Sequence, residues 1–267
     1  MSTESPIDPV RVSSKPATPF DLTDSNVAGV TRYFSTARMR VYEDVTTNSV
    51  EAYNLHRWNV VASAALYGGL HYFELVLRNV LNEQLSAWHA GNDWQVDLPT
   101  PIDVLMSDRI LDAEQSVHRD KVAKRGGSTQ NVTINADDVV ARMALGDWVY
   151  LVPGSMKSVS RRGGQPRHRV EKQRLWTDAL SNGFSQVSIE NEGATNTLLK
   201  RIHNLYDLRN RIAHLEPLLK TDLSHSAGNL AGFFYAVDPA MARWFRAHYE
   251  PLILQTWSMR PTKFAST

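Results

Sequence analysis

At 267 residues, with 42% hydrophobic side chains and a mean hydropathy of −0.34, the chain has material for a sizeable core and the balance of a soluble protein. The absence of cysteine excludes disulfides, thiol nucleophiles and cysteine-ligated metal sites. With 29 basic against 28 acidic residues the net charge is +1, which excludes bulk attraction to nucleic acid and leaves only local clustering to provide it.

Residues 1–25 are rich in Ser, Thr, Pro and Asp without periodicity and read as a disordered extension. They lack the apolar run of a signal peptide, and no segment approaches about 18 uninterrupted apolar residues. A cytoplasmic protein with no membrane partner is the expectation. Apolar periodicity then predicts helices over about 30–46, 50–63 and 64–89, the last with Leu66, Leu70, Phe73, Leu77, Val80 and Leu81 on one face. Gly68 and Gly69 cost that helix roughly 1 kcal/mol each relative to alanine, so they mark either a kink or a very close helix approach. Residues 91–101 and 126–135 are punctuated by Gly, Pro, Asn and Asp and read as loops. Helices resume near 102–124, 136–151, 168–182 and 194–215, and a final one spans about 238–258. Strand signals are sparse and no internal repeat is visible, so the fold class is all-α.

The run from Tyr206 to Pro217 is the most informative stretch. Leu198, Ile202, Leu205 and Ile212 define a buried helical face, and Arg209 projects from its middle. A guanidinium is expensive to bury alone, so Arg209 needs an anion. That anion is either a carboxylate from another helix or a bound group such as a phosphate. Pro217 disfavours helical geometry at Glu216, which places His214 in the last helical turn, near the mouth of a cleft. Asn210, four residues before His214, shares nearly the same face.

Arg209-Asn210 followed by three residues and His214 resembles the R-N-x-x-x-H signature of HEPN domains, and the run to Pro217 resembles its form in Abi-like (abortive infection) proteins. Trp58-Asn59 and the stretch Leu70 to Asn79, with Glu74 ahead of Arg78-Asn79, are similar to the family's first core helix. Met143 to Trp148 resembles the small and aromatic segment before the family's variable loop. The three occur in the family's order over roughly residues 34–250. One departure is Leu215, which stands where many Abi-like sequences have a second histidine.

The resemblance implies a HEPN-like helical bundle over residues 26–258, with 259–267 as a C-terminal tail. It implies a metal-independent endoribonuclease with no cofactor, serving antiphage abortive infection or acting as a toxin. RNA is then the substrate, and an antitoxin protein or a small RNA is a further partner to look for. RNA supplies its own nucleophile, the 2′-hydroxyl, so the protein need only move protons and stabilise charge on phosphorus. Histidine suits the first task and arginine the second. In that scheme His214 transfers the proton, Arg209 meets the phosphate and Asn210 orients, with Arg78 and Asn79 as secondary candidates for the cleft. One histidine per chain does not provide both a base and an acid. HEPN domains commonly pair, which implies a homodimer with a composite site.

Each feature has a plainer reading. His214 can simply cap the helix C-terminus. Arg209 can form a structural ion pair with Glu74, and Arg78-Asn79 can merely pack. The segment from Lys157 to Arg174 carries seven basic residues against Glu171 alone. Arg161, Arg162, Arg167 and Arg169 within it are candidates to track an RNA backbone or, equally, parts of a solvated linker. His71 and His203 sit in predicted helices without partners and receive no role.

Overall fold

Among the described residues every regular element is a helix, so the protein is all-α. The computed structural model describes residues 22–90, 93–154 and 166–261. Packing divides the chain into two compact units, one ending at His56 and one starting at Arg57.

In the first unit the single helix expected over 30–46 is two short ones, α1 (Asp24–Thr31) and α2 (Thr36–Glu43). The break lies at Ser35, whose φ of 68° is non-helical and whose hydroxyl caps α2 by accepting from the Arg38 N–H. The Thr23 hydroxyl caps α1, so helix begins at Asp24, inside the stretch read as an extension. Residues 1–21 of that extension lie outside the described residues, as does the tail beyond 261. Val27, Met39 and Tyr42 are buried, and the His56 ring stacks on Phe34 at 5.0 Å and meets Tyr42 edge-on at 5.1 Å.

The two helices expected over 50–63 and 64–89 are one, α3 (Ser49–Trp88), of 40 residues. In the second unit its Leu66, Leu70, Phe73, Leu77 and Leu81 are fully buried. Burial of each such side chain stabilises by about 1.5–3 kcal/mol. Gly68 and Gly69 mark a close approach. A Cβ at Gly69 would lie 2.9 Å from Leu230 and 3.0 Å from Phe245, and one at Gly68 would lie 3.0 Å from Tyr249.

The rest of the second unit is α4 (Trp94–Asp97), α5 (Ile102–Lys124), α6 (Ala136–Arg142), α7 (Leu145–Leu151), α8 (Pro166–Asp178), a 3₁₀ turn (Leu180–Gly183), α9 (Glu192–Ala213), α10 (Leu223–Val237), α11 (Pro239–His248) and α12 (Glu250–Ser258). Three expectations need correction. Helix does not run through 136–151, because Met143 and Ala144 are extended and Asp147 accepts from the Ala144 N–H to start α7 afresh. The helix expected over 238–258 is interrupted at Tyr249, ahead of Pro251, whose ring would clash inside a continuous helix. The third is an omission: the stretch between 215 and 238, given no element, holds α10, packed on α9, α11 and α12 and joined to α3 through Phe73 and Phe233, whose rings meet at 4.8 Å. A second group, α5 with α6, α7 and α8, packs beside it, and α7 touches α9. There Gly146 marks a tight approach, since a Cβ would sit 3.0 Å from the Tyr206 hydroxyl.

By length and composition α3 is the one described helix apolar enough to cross a membrane, with a mean hydropathy of 1.4 in its most apolar window. Of that window 39% is buried in the core just described. A second stripe stays outside: Val60, Val61, Tyr67 and Leu75 are 41–53% exposed, and Ala64 and His71 lie between them.

Candidate functional site

The motif helix α9 and the core helix α3 cross where both carry charge. Nε and an Nη of Arg209 each lie 3.3 Å from Oε2 of Glu74 on α3. The other carboxylate oxygen, Oε1, is 3.5 Å from a guanidinium nitrogen of Arg78, one helical turn along α3. Glu74 therefore bridges two arginines. Their side chains are 22–31% exposed, so the cluster is half-buried and open to solvent. Two guanidinium groups against one carboxylate leave a positive charge in excess. Nε of Arg78 is buried and donates to no described group, so one donor of the cluster is unsatisfied.

This answers the question Arg209 posed in the sequence. Its anion is the carboxylate of a neighbouring helix, which is the plainer of the two readings, and the exposed part of the guanidinium still reaches solvent.

The end of α9 is built differently. His214 is the first residue past the helix: its N–H donates to the Asn210 carbonyl at 2.9 Å. The next two amides close the turn, Leu215 N–H onto the Ile212 carbonyl at 3.0 Å and Glu216 N–H onto the Arg211 carbonyl at 2.9 Å. That is the Schellman closure, with Leu215 at the left-handed position (φ 57°) where glycine is usual. The chain then returns to α3, where the buried Asn59 accepts from the Leu218 N–H at 2.6 Å. Trp58 beside it donates to the Thr256 carbonyl at 3.0 Å. Trp58-Asn59 thus anchors the segment that follows the motif.

His214 is exposed, and its ring bonds to no described residue. Asn210 is half-buried and Asn79 exposed, each likewise without a side-chain bond to a described residue. At about 100° per residue, His214 leaves the helix about 140° away from Arg209, whereas Asn210 and His214 are about 40° apart. The structure therefore joins Arg209, Glu74 and Arg78, places Asn210 and His214 together one turn on, and makes no direct contact between the two groups.

Of the basic segment, Arg167 and Arg169 are exposed on α8, with no contact to the Arg78–Arg209 cluster. Arg161 and Arg162 lie outside the described residues. His203, expected to have no partner, donates through Nε2 to the Pro153 carbonyl at 3.2 Å.

A cavity of about 600 Å³ lies elsewhere, among α5, α6, α7 and α8. Arg109 pairs with Asp147 there, and the Tyr150 hydroxyl is 2.7 Å from Nδ1 of His168. Sequence reasoning missed this wall. Its only signal was Asp147, inside the Met143–Trp148 segment, since the other members come from separate helices with no shared pattern. No protein-family model, curated protein or solved structure matches the chain.

Proposed function

We propose that the chain is a HEPN-type, metal-independent endoribonuclease. It cleaves RNA by attack of the 2′-hydroxyl on the adjacent phosphorus and leaves 2′,3′-cyclic phosphate and 5′-hydroxyl ends. The observation that carries this reading is the exposed, unbonded imidazole of His214 one turn past a solvent-open arginine cluster with excess positive charge. A histidine held only by its backbone is free to move a proton. Arg209, and Arg78 behind it, offer charge-assisted donors to a phosphate oxygen. Asn210 is placed to orient the ring or the phosphate. In keeping with the Abi-like resemblance, the biological setting is bacterial antiphage abortive infection or toxin action in the cytoplasm.

The angular separation of Arg209 and His214 favours a site completed by a second copy. The apolar stripe Val60, Ala64, Tyr67, His71, Leu75 on α3 supplies a face for such a dimer, and it runs toward Glu74 and Arg78. A second reading is a catalytically inert module that binds RNA or a protein, and the Arg209–Glu74 pair favours it, because that carboxylate competes with any phosphate.

The test is the chemistry of the products. Purified protein incubated in EDTA with an end-labelled RNA should give fragments whose 3′ ends resist ligation until a cyclic phosphodiesterase opens the ring and a phosphatase removes the resulting monophosphate. Intact RNA, or fragments ending in 3′-hydroxyl, reject the nuclease reading and leave the binding module.

A further inference from the structure

We propose that His71, an exposed histidine of α3, is the second proton carrier of the cleavage reaction, working with His214 on a phosphate held by Arg209 and Arg78. The proposal rests on the nuclease reading above and adds a catalytic residue that lies outside the R-N-x-x-x-H motif.

The reaction asks for two such groups. One imidazole takes the proton of the 2′-hydroxyl as the O2′–P bond forms. The P–O5′ bond breaks, and an imidazolium gives its proton to the departing O5′. Proton exchange with solvent then resets the pair. His214 alone supplies one of these two transfers.

Helix geometry places His71 at the edge of the arginine cluster. At about 100° per residue, His71, Glu74 and Arg78 fall within a sector of about 60° on α3. Residues three apart on a helix have Cβ atoms about 5–6 Å from each other, so Glu74 is the direct neighbour of His71. Side chains on a helix lean toward its N-terminus. Arg78 accordingly reaches back to Glu74 at 3.5 Å, and Glu74 leans over the turn that carries His71. The imidazole is exposed and bonds to no described residue. It is steadied by edge contact with the Tyr72 ring at 5.6 Å, and Tyr72 packs on Trp244 at 4.7 Å and on Tyr249 at 5.2 Å.

Two anchor points bring His214 to the same side. Arg209 meets Glu74, and the Leu218 N–H meets Asn59, so the chain beyond Arg209 runs back along α3 from residue 74 toward residue 59. At 1.5 Å per residue His214 lies about 7.5 Å past Arg209, and His71 about 4.5 Å back from Glu74. Measured along α3, the two histidines therefore stand at levels about 3 Å apart, on the same side of the Arg209–Glu74 contact. This places an acid–base pair within each protomer, whether or not a second copy covers the α3 stripe.

The experiment compares cleavage of labelled RNA in EDTA by wild type, His71→Gln and His118→Gln, the last an exposed histidine of α5. Rates are read from about pH 5 to 9, beside the unfolding transition of each protein. His71→Gln should be slower by at least about 100-fold at neutral pH, with an unchanged unfolding transition and one limb of the bell-shaped pH–rate profile lost. His118→Gln should match wild type. A second measurement needs no turnover and decides the case if His71→Gln fails to fold. A 2′-O-methyl RNA, which lacks the nucleophile, should shift the His71 and His214 ring signals of wild type together in NMR spectra, and Arg209→Lys should lose both shifts. Cleavage by folded His71→Gln within about twofold of wild type overturns the assignment of His71 alone. So does a His71 signal unmoved by RNA that moves the His214 signal. A wild type that cleaves nothing overturns the nuclease reading and this assignment with it.

Discussion

The α3–α9 cluster and the contact of Arg109 and Lys172 with the Tyr150 ring each gather two cations, yet they are built from different chemistry. The first consists of Arg78 and Arg209 on one carboxylate, groups that keep their charge at any physiological pH. The second contains a lysine, an imidazole and a phenol in contact, and its charge responds to pH. The first is a fixed electrostatic feature that needs a separate proton carrier, and exposed His214 is the nearby candidate. Burial raises the Tyr150 phenol pKa, opposed by Arg109, so that group stays neutral and keeps its proton to share with His168.

The largest expected effect is on the fixed cluster. Glu74→Ala leaves two half-buried guanidinium groups without their anion. Breaking a fully buried pair costs about 3–5 kcal/mol, and partial exposure brings the expected loss to about 2 kcal/mol. Chemical denaturation measures it. A loss below about 0.5 kcal/mol would show that Glu74 does not hold Arg78 and Arg209, and the two regions would then differ less than described.

Lys172, against the Tyr150 ring, predicts an effect of the opposite sign. The folded-state pKa of Lys172 is depressed from 10.5 to about 8. Below about pH 8 the native state carries a disfavoured ammonium, and the penalty is relieved as pH rises from about 8 to 10.5, where the unfolded chain holds the extra proton. Wild type should therefore gain stability relative to Lys172→Met across that window, read as the difference between their melting temperatures at each pH. A flat difference contradicts the assigned burial.

The smallest effect lies at the helix end that presents His214. Leu215 holds a left-handed conformation that costs a non-glycine residue roughly 1–2 kcal/mol. Leu215→Gly should stabilise by about 1 kcal/mol in thermal unfolding, after the extra freedom glycine brings to the unfolded chain. Destabilisation would mean that the exposed leucine side chain makes contacts important enough to outweigh its strained backbone.

Much of the fold was legible where local signals agree. The expected helix over 102–124 matches α5 (Ile102–Lys124), which has a buried ladder of Leu105, Met106, Ile110, Ala113 and Val117 and a Gly126-Gly127 stop. Helix α10 was illegible because Gly228, Gly232 and its serines lower helix propensity, and tertiary packing overrides them. Gly232 lies under the Arg201 guanidinium, where a Cβ would come within 2.7 Å, a reason for glycine that only the fold reveals. The break at Met143-Ala144 depends on a single side-chain cap from Asp147. At the site, Arg209, Asn210 and His214 stood in one contiguous pattern, and Glu74 was the available anion one helix away. The cavity gave no such cue, because Arg109, Asp147, Tyr150 and His168 meet only after α5, α7 and α8 have packed.

The central claim is that His214 is free for chemistry because nothing in the fold depends on its side chain. Cleavage of a labelled RNA by His214→Ala and by wild type, compared at matched unfolding temperatures, tests it most directly. General acid–base catalysis typically contributes about 10²–10⁴-fold, so the account predicts a rate lower by at least about 100-fold with an unchanged melting temperature. Equal cleavage by the two proteins, or a variant that loses activity only because it unfolds, would contradict it.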